Sequence, residues 1–104
     1  MRNDVVDAHP WLPESVFNAY SHAKQMQYEV MRMQWIFGML PWFGQEFEET
    51  RAVMGDNFWP YGIEANRKTL EALFQYSYEQ GLAKKRLNVE QLFHPSTLDF
   101  TDVS

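Results

Sequence analysis

Apolar residues recur at Val16, Ala19, Ala23, Met26, Val30, Met33 and Phe37, with spacings of 3, 4, 3, 4, 3 and 4. An α-helix turns once in about 3.6 residues, so these positions share one side. They predict a long helix with a continuous seam for a neighbouring helix. Phe17, Tyr20 and Met31 widen the seam on one side. The helix should begin near Leu12, with Pro13 in its first turn, where a missing N–H costs nothing. Gly38 and Pro41 should stop it.

The same reasoning gives a second helix from about Trp42 to Met54. Phe43, Phe47 and Met54 lie on one side, and Gln45, Glu46, Glu48, Glu49 and Arg51 cover much of the rest. Gly55 suits a left-handed terminator. A third helix should run from about Ile63 to Gln80, with Leu70, Leu73, Phe74 and Ser77 facing inward and Gly81 closing it. At the start of the chain, Asn3 can cap a short turn through Val5 and Val6 that ends before Pro10. Near the other end, Asn88 caps a short helix, with Gln91 placed as a capping-box partner. Pro95 ends that helix, and residues 96–104 read as a flexible tail. No alternating strand of useful length and no internal repeat interrupts the pattern. The expected fold is therefore all-α, a small irregular bundle of about four helices in one segment, residues 1–104.

Composition narrows the functional classes. At 45% hydrophobic and 16% aromatic, the chain is too apolar to be disordered. Net charge is −5, and the nine Lys and Arg are scattered. Phosphate backbones and anionic membrane surfaces are bound by clustered cations, so neither nucleic acid nor membrane is the expected partner. The longest apolar stretch, residues 35–43, is interrupted by Gly38 and Pro41 and is too short to cross a bilayer. The polar start Met1-Arg2-Asn3-Asp4 does not read as a signal peptide. With no Cys there is no disulfide framework and no thiolate metal site, which points to the cytoplasm.

Candidate chemistry is sparse. His9, His22 and His94 have no second ligand at a recognisable metal spacing, so no metal is expected. Ser15, Ser21 and Ser77 lack nucleophile-elbow glycines, and no Gly-rich phosphate loop is present. Lys84, Lys85 and Arg86 follow a helix end, where cations complement the dipole. The best candidate is the aromatic loop at residues 56–62 with the start of the third helix. Three aromatic rings in four positions surround Pro60 there. A helix N-terminus presents free N–H groups to an anion. Arg67 can hold a carboxylate with two parallel bonds. Spacing alone favours the plainer alternative: Glu64 with Lys68 and Arg67 with Glu71 are ordinary i,i+4 pairs, and Trp59 and Tyr61 can simply staple helices together.

The stretch Glu48-Glu49-Thr50-Arg51-Ala52-Val53-Met54-Gly55, followed by Phe58-Trp59-Pro60-Tyr61-Gly62-Ile63-Glu64-Ala65-Asn66-Arg67-Lys68-Thr69-Leu70-Glu71, resembles the 4,5-dihydroxyphthalate decarboxylase family. Asp4-Val5, His9-Pro10-Trp11, Tyr78-Glu79-Gln80-Gly81-Leu82 and Val89-Glu90-Gln91-Leu92-Phe93 resemble it too. The resemblance covers nearly the whole chain and implies the C-terminal portion of a longer, two-lobed α/β protein like the periplasmic binding proteins. The implied reaction removes one carboxylate from 4,5-dihydroxyphthalate as CO2, leaving protocatechuate, with no cofactor. Arg67 would then clamp the carboxylate that stays, and Glu64 would act as the acid or orienting group. Trp59 and Tyr61 would wall the ring, and Asn66 would support them. The chain alone is expected to lack a complete active site. Two other readings stand beside this one. The first is a non-catalytic, solute-binding-like fragment that recognises an aromatic or carboxylate ligand. The second is a self-association module that buries Val16, Met26, Val30 and Met33 in a homo-oligomer.

Overall fold

The computed structural model describes residues 1–33 and 41–102. Among them are five α-helices: α1 (Asn3–Ala8), α2 (Leu12–Arg32), α3 (Phe43–Met54), α4 (Ile63–Glu79) and α5 (Val89–Leu92). A 3-10 turn, Pro95–Thr97, follows. No strand occurs among the described residues, and the fold is all-α. The expected seam position Phe37 and the stop signal Gly38 lie outside the described residues.

Each helix end has a local cause. α1 begins after Arg2 rather than on an Asn3 cap, and the Arg2 guanidinium pairs with Asp4 at 3.0 and 2.6 Å. α3 ends at Gly55, whose φ of 83° is open to glycine and whose N–H donates to the Arg51 carbonyl. α4 ends in a Schellman arrangement: the Leu82 N–H donates to Ser77 and the Gly81 N–H to Tyr78, with Gly81 at φ 73°. α5 starts at Asn88 with capping-box geometry, and the Asn88 N–H donates to Gln91 Oε1 at 3.2 Å.

The chain divides into two units, Ser15–Trp59 and a second formed by Met1–Glu14 with the residues from Pro60 onward. The core of the first is Tyr28, Phe47 and Phe58, with Met31 against them. Tyr28 and Phe58 lie 4.9 Å apart between ring centroids, and Phe47 meets Phe58 edge-on at 6.0 Å. Such pairs contribute about 0.5–1.5 kcal/mol each beyond the area they bury. The side of α2 that turns inward is Phe17, Ser21, Lys24, Tyr28 and Met31. The seam read from apolar spacing faces outward instead: Ala19, Ala23, Met26 and Met33 are exposed, and Val16 and Val30 are half-buried. At 100° per residue the two sides are rotated by roughly 140°.

In the second unit, Ile63 and Phe74 of α4 and Val89 of α5 form the core, joined by Leu70, Leu87, Phe93 and Leu98. The inward side of α4 is Ile63, Arg67, Leu70 and Phe74, spaced 4, 3 and 4. Leu73, expected inside, is 57% exposed, because it sits one residue round from Phe74. After the 3-10 turn the chain returns to the start of α4, where Thr101 forms an antiparallel bridge with Gly62.

Candidate functional site

The aromatic loop is held from both of its ends, each within its own unit. In the first unit, Lys24 Nζ on α2 donates to Asn57 Oδ1 at 2.9 Å and to the Trp59 carbonyl at 2.7 Å. The Trp59 N–H donates to the Tyr28 hydroxyl at 2.8 Å. Phe58 is buried, and its ring meets Trp59 edge-on at 5.0 Å. The Trp59 side chain itself stays 63% exposed. The loop's beginning is fixed by Arg51, which donates to Asp56 Oδ1 at 2.8 and 2.6 Å and to Glu48 at 3.1 Å. The Arg51 guanidinium, bonded to Asp56, holds that carboxyl below the usual carboxylate range.

In the second unit, the Tyr61 N–H donates to Asp102 Oδ1 at 2.8 Å. Asn66, one turn into α4, donates through Nδ2 to the carbonyls of Pro60 (2.8 Å) and Gly62 (2.9 Å). Asn66 thus ties the helix start to the turn before it. Gly62 is the N-cap residue of α4, with φ 111°, and an added Cβ would lie 2.4 Å from the Phe100 carbonyl oxygen. Only glycine allows both this backbone conformation and the close return of residues 98–102.

Arg67 is the centre of the charged part. Its Nε and Nη2 donate to Glu64 Oε1 at 2.9 and 2.7 Å, and its Nη1 donates to Glu90 Oε1 at 2.9 Å. Glu71, the i+4 partner, stands at 4.0 Å. Of the five N–H groups on a guanidinium, three therefore donate within the chain. Its hydrogen bonds to Glu64 and then to Glu90 raise the guanidinium further above its ordinary range. Glu90 is lowered by its own backbone N–H and by Arg67. Beside this network is an open pocket of about 250 Å³, bordered by Arg67, Glu71, Arg86, Asn88 and Glu90 and backed by Leu87 and Val89.

Of the residues singled out from sequence, Glu64 and Arg67 are brought into direct contact. Asn66 and Tyr61 are anchored around the same turn. Trp59 belongs to the other unit. Sequence reasoning missed Lys24, Tyr28, Asp102, Glu90 and Arg86. All five act across gaps of at least fifteen residues or border a pocket built from separate elements, and helical spacing carries no signal for either. Among the described residues, no group of three or more His, Asp or Glu is placed to hold a metal ion. No helix of the described residues is long and apolar enough to cross a membrane.

No known family's sequence profile matches the chain. It is 28% identical over 100 residues to a 4,5-dihydroxyphthalate decarboxylase of Comamonas testosteroni. That match takes in 95% of this chain and 30% of the relative, so the chain spans about 30% of the length of the curated protein it resembles.

Proposed function

We propose that this chain is part of a carboxy-lyase acting on a dihydroxylated aromatic dicarboxylate of the 4,5-dihydroxyphthalate type. The observation that carries the reading is the similarity to the Comamonas testosteroni decarboxylase, which runs through 95% of the chain. In the reaction, a proton adds to the ring carbon that bears the departing carboxylate. The bond to that carboxylate then breaks, its electron pair returns to the ring, and CO2 leaves. A ring hydroxyl spreads the positive charge of the protonated intermediate. A positioned acid contributes about 10²–10⁴-fold to such a step.

In this reading Arg67 holds the retained carboxylate through the two N–H groups it does not use within the chain. Glu64, already on the Arg67 fork, orients the clamp or supplies the proton. Asn66 keeps the turn at residues 60–62 in shape, and Tyr61 is a ring wall by residue type. The chain alone is expected to release no CO2. The test is a chimera: the Comamonas testosteroni enzyme with its matched segment replaced by this chain. Release of CO2 with an equal yield of protocatechuate is the expected result, with a loss of at least tenfold in the Arg67→Ala version. A chimera that folds, by circular dichroism, and yields no CO2 refutes the proposal.

A second reading has its own observation, the outward stripe on α2. Tyr20, Met26 and Met33 there are 65%, 56% and 56% exposed. The stripe runs from small residues, Ala19 and Ala23, to large ones, Met26 and Met33. In an antiparallel pair of copies, the methionines of one helix would face the alanines of the other, a self-complementary contact. The expected outcome is a dimer by sedimentation that Met26→Glu dissociates. Monomers at high concentration refute this reading.

A further inference from the structure

α4 has three sides rather than two. One packs into the core of its unit through Ile63, Leu70 and Phe74. A second carries the charges, on Glu64, Lys68, Glu71 and Glu79, and Glu79 accepts from Gln75 Nε2 at 2.6 Å. The third carries Ala65, Thr69, Leu73 and Tyr76, spaced 4, 4 and 3, and no charge. At 100° per residue the three sides stand roughly 120° apart. All four residues of the third side are exposed, Leu73 and Tyr76 at 57% and 59%. The turn after the helix continues this side. A Schellman arrangement returns the second residue past the cap towards the last helical turn, where Tyr76 sits, and that residue is Leu82, 78% exposed.

A helix that met only its own unit would need one uncharged side, and α4 has two. Single exposed apolar residues are ordinary, but Leu73, Tyr76 and Leu82 gather at one end of one side. The length comparison supplies the occupant. The relative matches this chain with 30% of its own length, so more than two-thirds of that protein is further polypeptide. A fold about three times as long buries a larger fraction of its surface, so a side that a shorter segment leaves open becomes interior. We propose that the Thr69, Leu73 and Tyr76 side of α4, continued by Leu82, is the docking surface for the remainder of a longer chain of the kind it matches. That remainder meets it with an apolar, uncharged face. The small residues Ala65 and Thr69 let the partner element come nearest the helix axis at the start of α4, and Leu73 and Tyr76 hold it further off. This choice of occupant rests on the carboxy-lyase reading.

The test is hydroxyl-radical footprinting of this chain, of the intact Comamonas testosteroni enzyme and of the chimera. Leu73, Tyr76 and Leu82 should label freely in this chain at every concentration. In the enzyme and the chimera, positions 73 and 76 should label about fivefold less or lower, corrected for residue type, because a packed interface excludes solvent. Position 68, on the charged side, should stay open in all three. Leu73→Glu should leave the urea midpoint of this chain unchanged and lower that of the chimera. The intact enzyme is folded, so its footprint decides the matter even where the chimera does not fold. Equal labelling at positions 68, 73 and 76 of the enzyme overturns the surface. So does protection of Leu73 and Tyr76 in this chain that grows with concentration, which makes a second copy the occupant. An equal effect of Leu73→Glu on chain and chimera overturns it as well. Protection in a folded chimera that releases no CO2 sinks the lyase reading alone. Release of CO2 with positions 73 and 76 open sinks the surface alone.

Discussion

Gly62→Ala is the substitution whose effect the structure fixes most closely. Gly62 has φ 111° and ψ 157°, a conformation that side chains rarely adopt, and forcing alanine into it costs about 1–3 kcal/mol. The added methyl would also lie 2.4 Å from the Phe100 carbonyl oxygen and 3.3 Å from the Thr101 Cα, both backbone atoms that cannot swing aside as a side chain would. Residues 98–102 must then move away, loosening the bond between the Tyr61 N–H and Asp102. A hydrogen bond to a charged group contributes about 1.5–3 kcal/mol, taken at the low end here because the contact is only part-buried. Alanine returns about 0.4–1 kcal/mol by restricting the unfolded chain. The net destabilisation is about 2–4 kcal/mol, against about 5–15 kcal/mol for a whole small domain.

Gly55→Ala supplies the control. Gly55 also has positive φ, at 83°, but no atom lies within 4 Å of its added Cβ. It carries the conformational cost without the collision. Urea unfolding followed by circular dichroism should place Gly62→Ala about 1 M or more below wild type, with Gly55→Ala between them. Hydrogen exchange should show the Tyr61 amide losing protection only in Gly62→Ala. Equal unfolding midpoints for the two variants would refute the argument, because they would mean that residues 98–102 do not rest on Gly62.

Phe74→Ala empties a position that is only 7% exposed in the core of its unit, and should cost about 3–5 kcal/mol in urea unfolding. Tyr28→Phe keeps the ring contact with Phe58 but removes the acceptor of the Trp59 N–H, so about 1–3 kcal/mol should be lost, with a change in the tryptophan emission. The Glu90 carboxyl is lowered on folding, so the folded state binds its proton less readily than the unfolded chain does. The stability this gives is present above the unfolded carboxylate value, near 4.3, and is lost as pH falls through the folded value. Unfolding midpoints should therefore drop below about pH 4, and Glu90→Gln should flatten that drop; an unchanged profile would show that the pairing with Arg67 contributes nothing to folding.

The helix boundaries were legible because local chemistry writes them. Gly55 and Gly81 end helices by left-handed backbone, Asn88 and Gln91 form a capping box, and Pro13 sits in a first turn. Helical spacing also brought Glu64, Arg67 and Glu71 to one side of α4. The rest of the site was not legible, because its partners come from other elements. Glu90 reaches Arg67 across 23 positions and Asp102 reaches Tyr61 across 41. The plainer reading of Arg67 as an ordinary ion-pair residue also has substance here, since three of its N–H groups donate to acids of this chain.

The orientation of α2 shows why apolar spacing alone pointed the wrong way. Its inner side includes Lys24 and Tyr28, which a hydrophobicity count assigns to solvent and to the margin. Both turn inward because the aromatic loop has backbone groups that need partners: the Trp59 carbonyl takes the Lys24 ammonium, and the Trp59 N–H takes the Tyr28 hydroxyl. The Trp59 N–H is the part-buried one of the two, and leaving it without a partner costs about 1–3 kcal/mol, comparable to what burying one more methionine would give. Satisfying the loop thus competes on even terms with burying Met26 and Met33, and on this helix the loop wins. The methionines left outside form the exposed α2 stripe, the face of the proposed self-association. Lys24 and Tyr28 together set which side of the helix the methionines occupy.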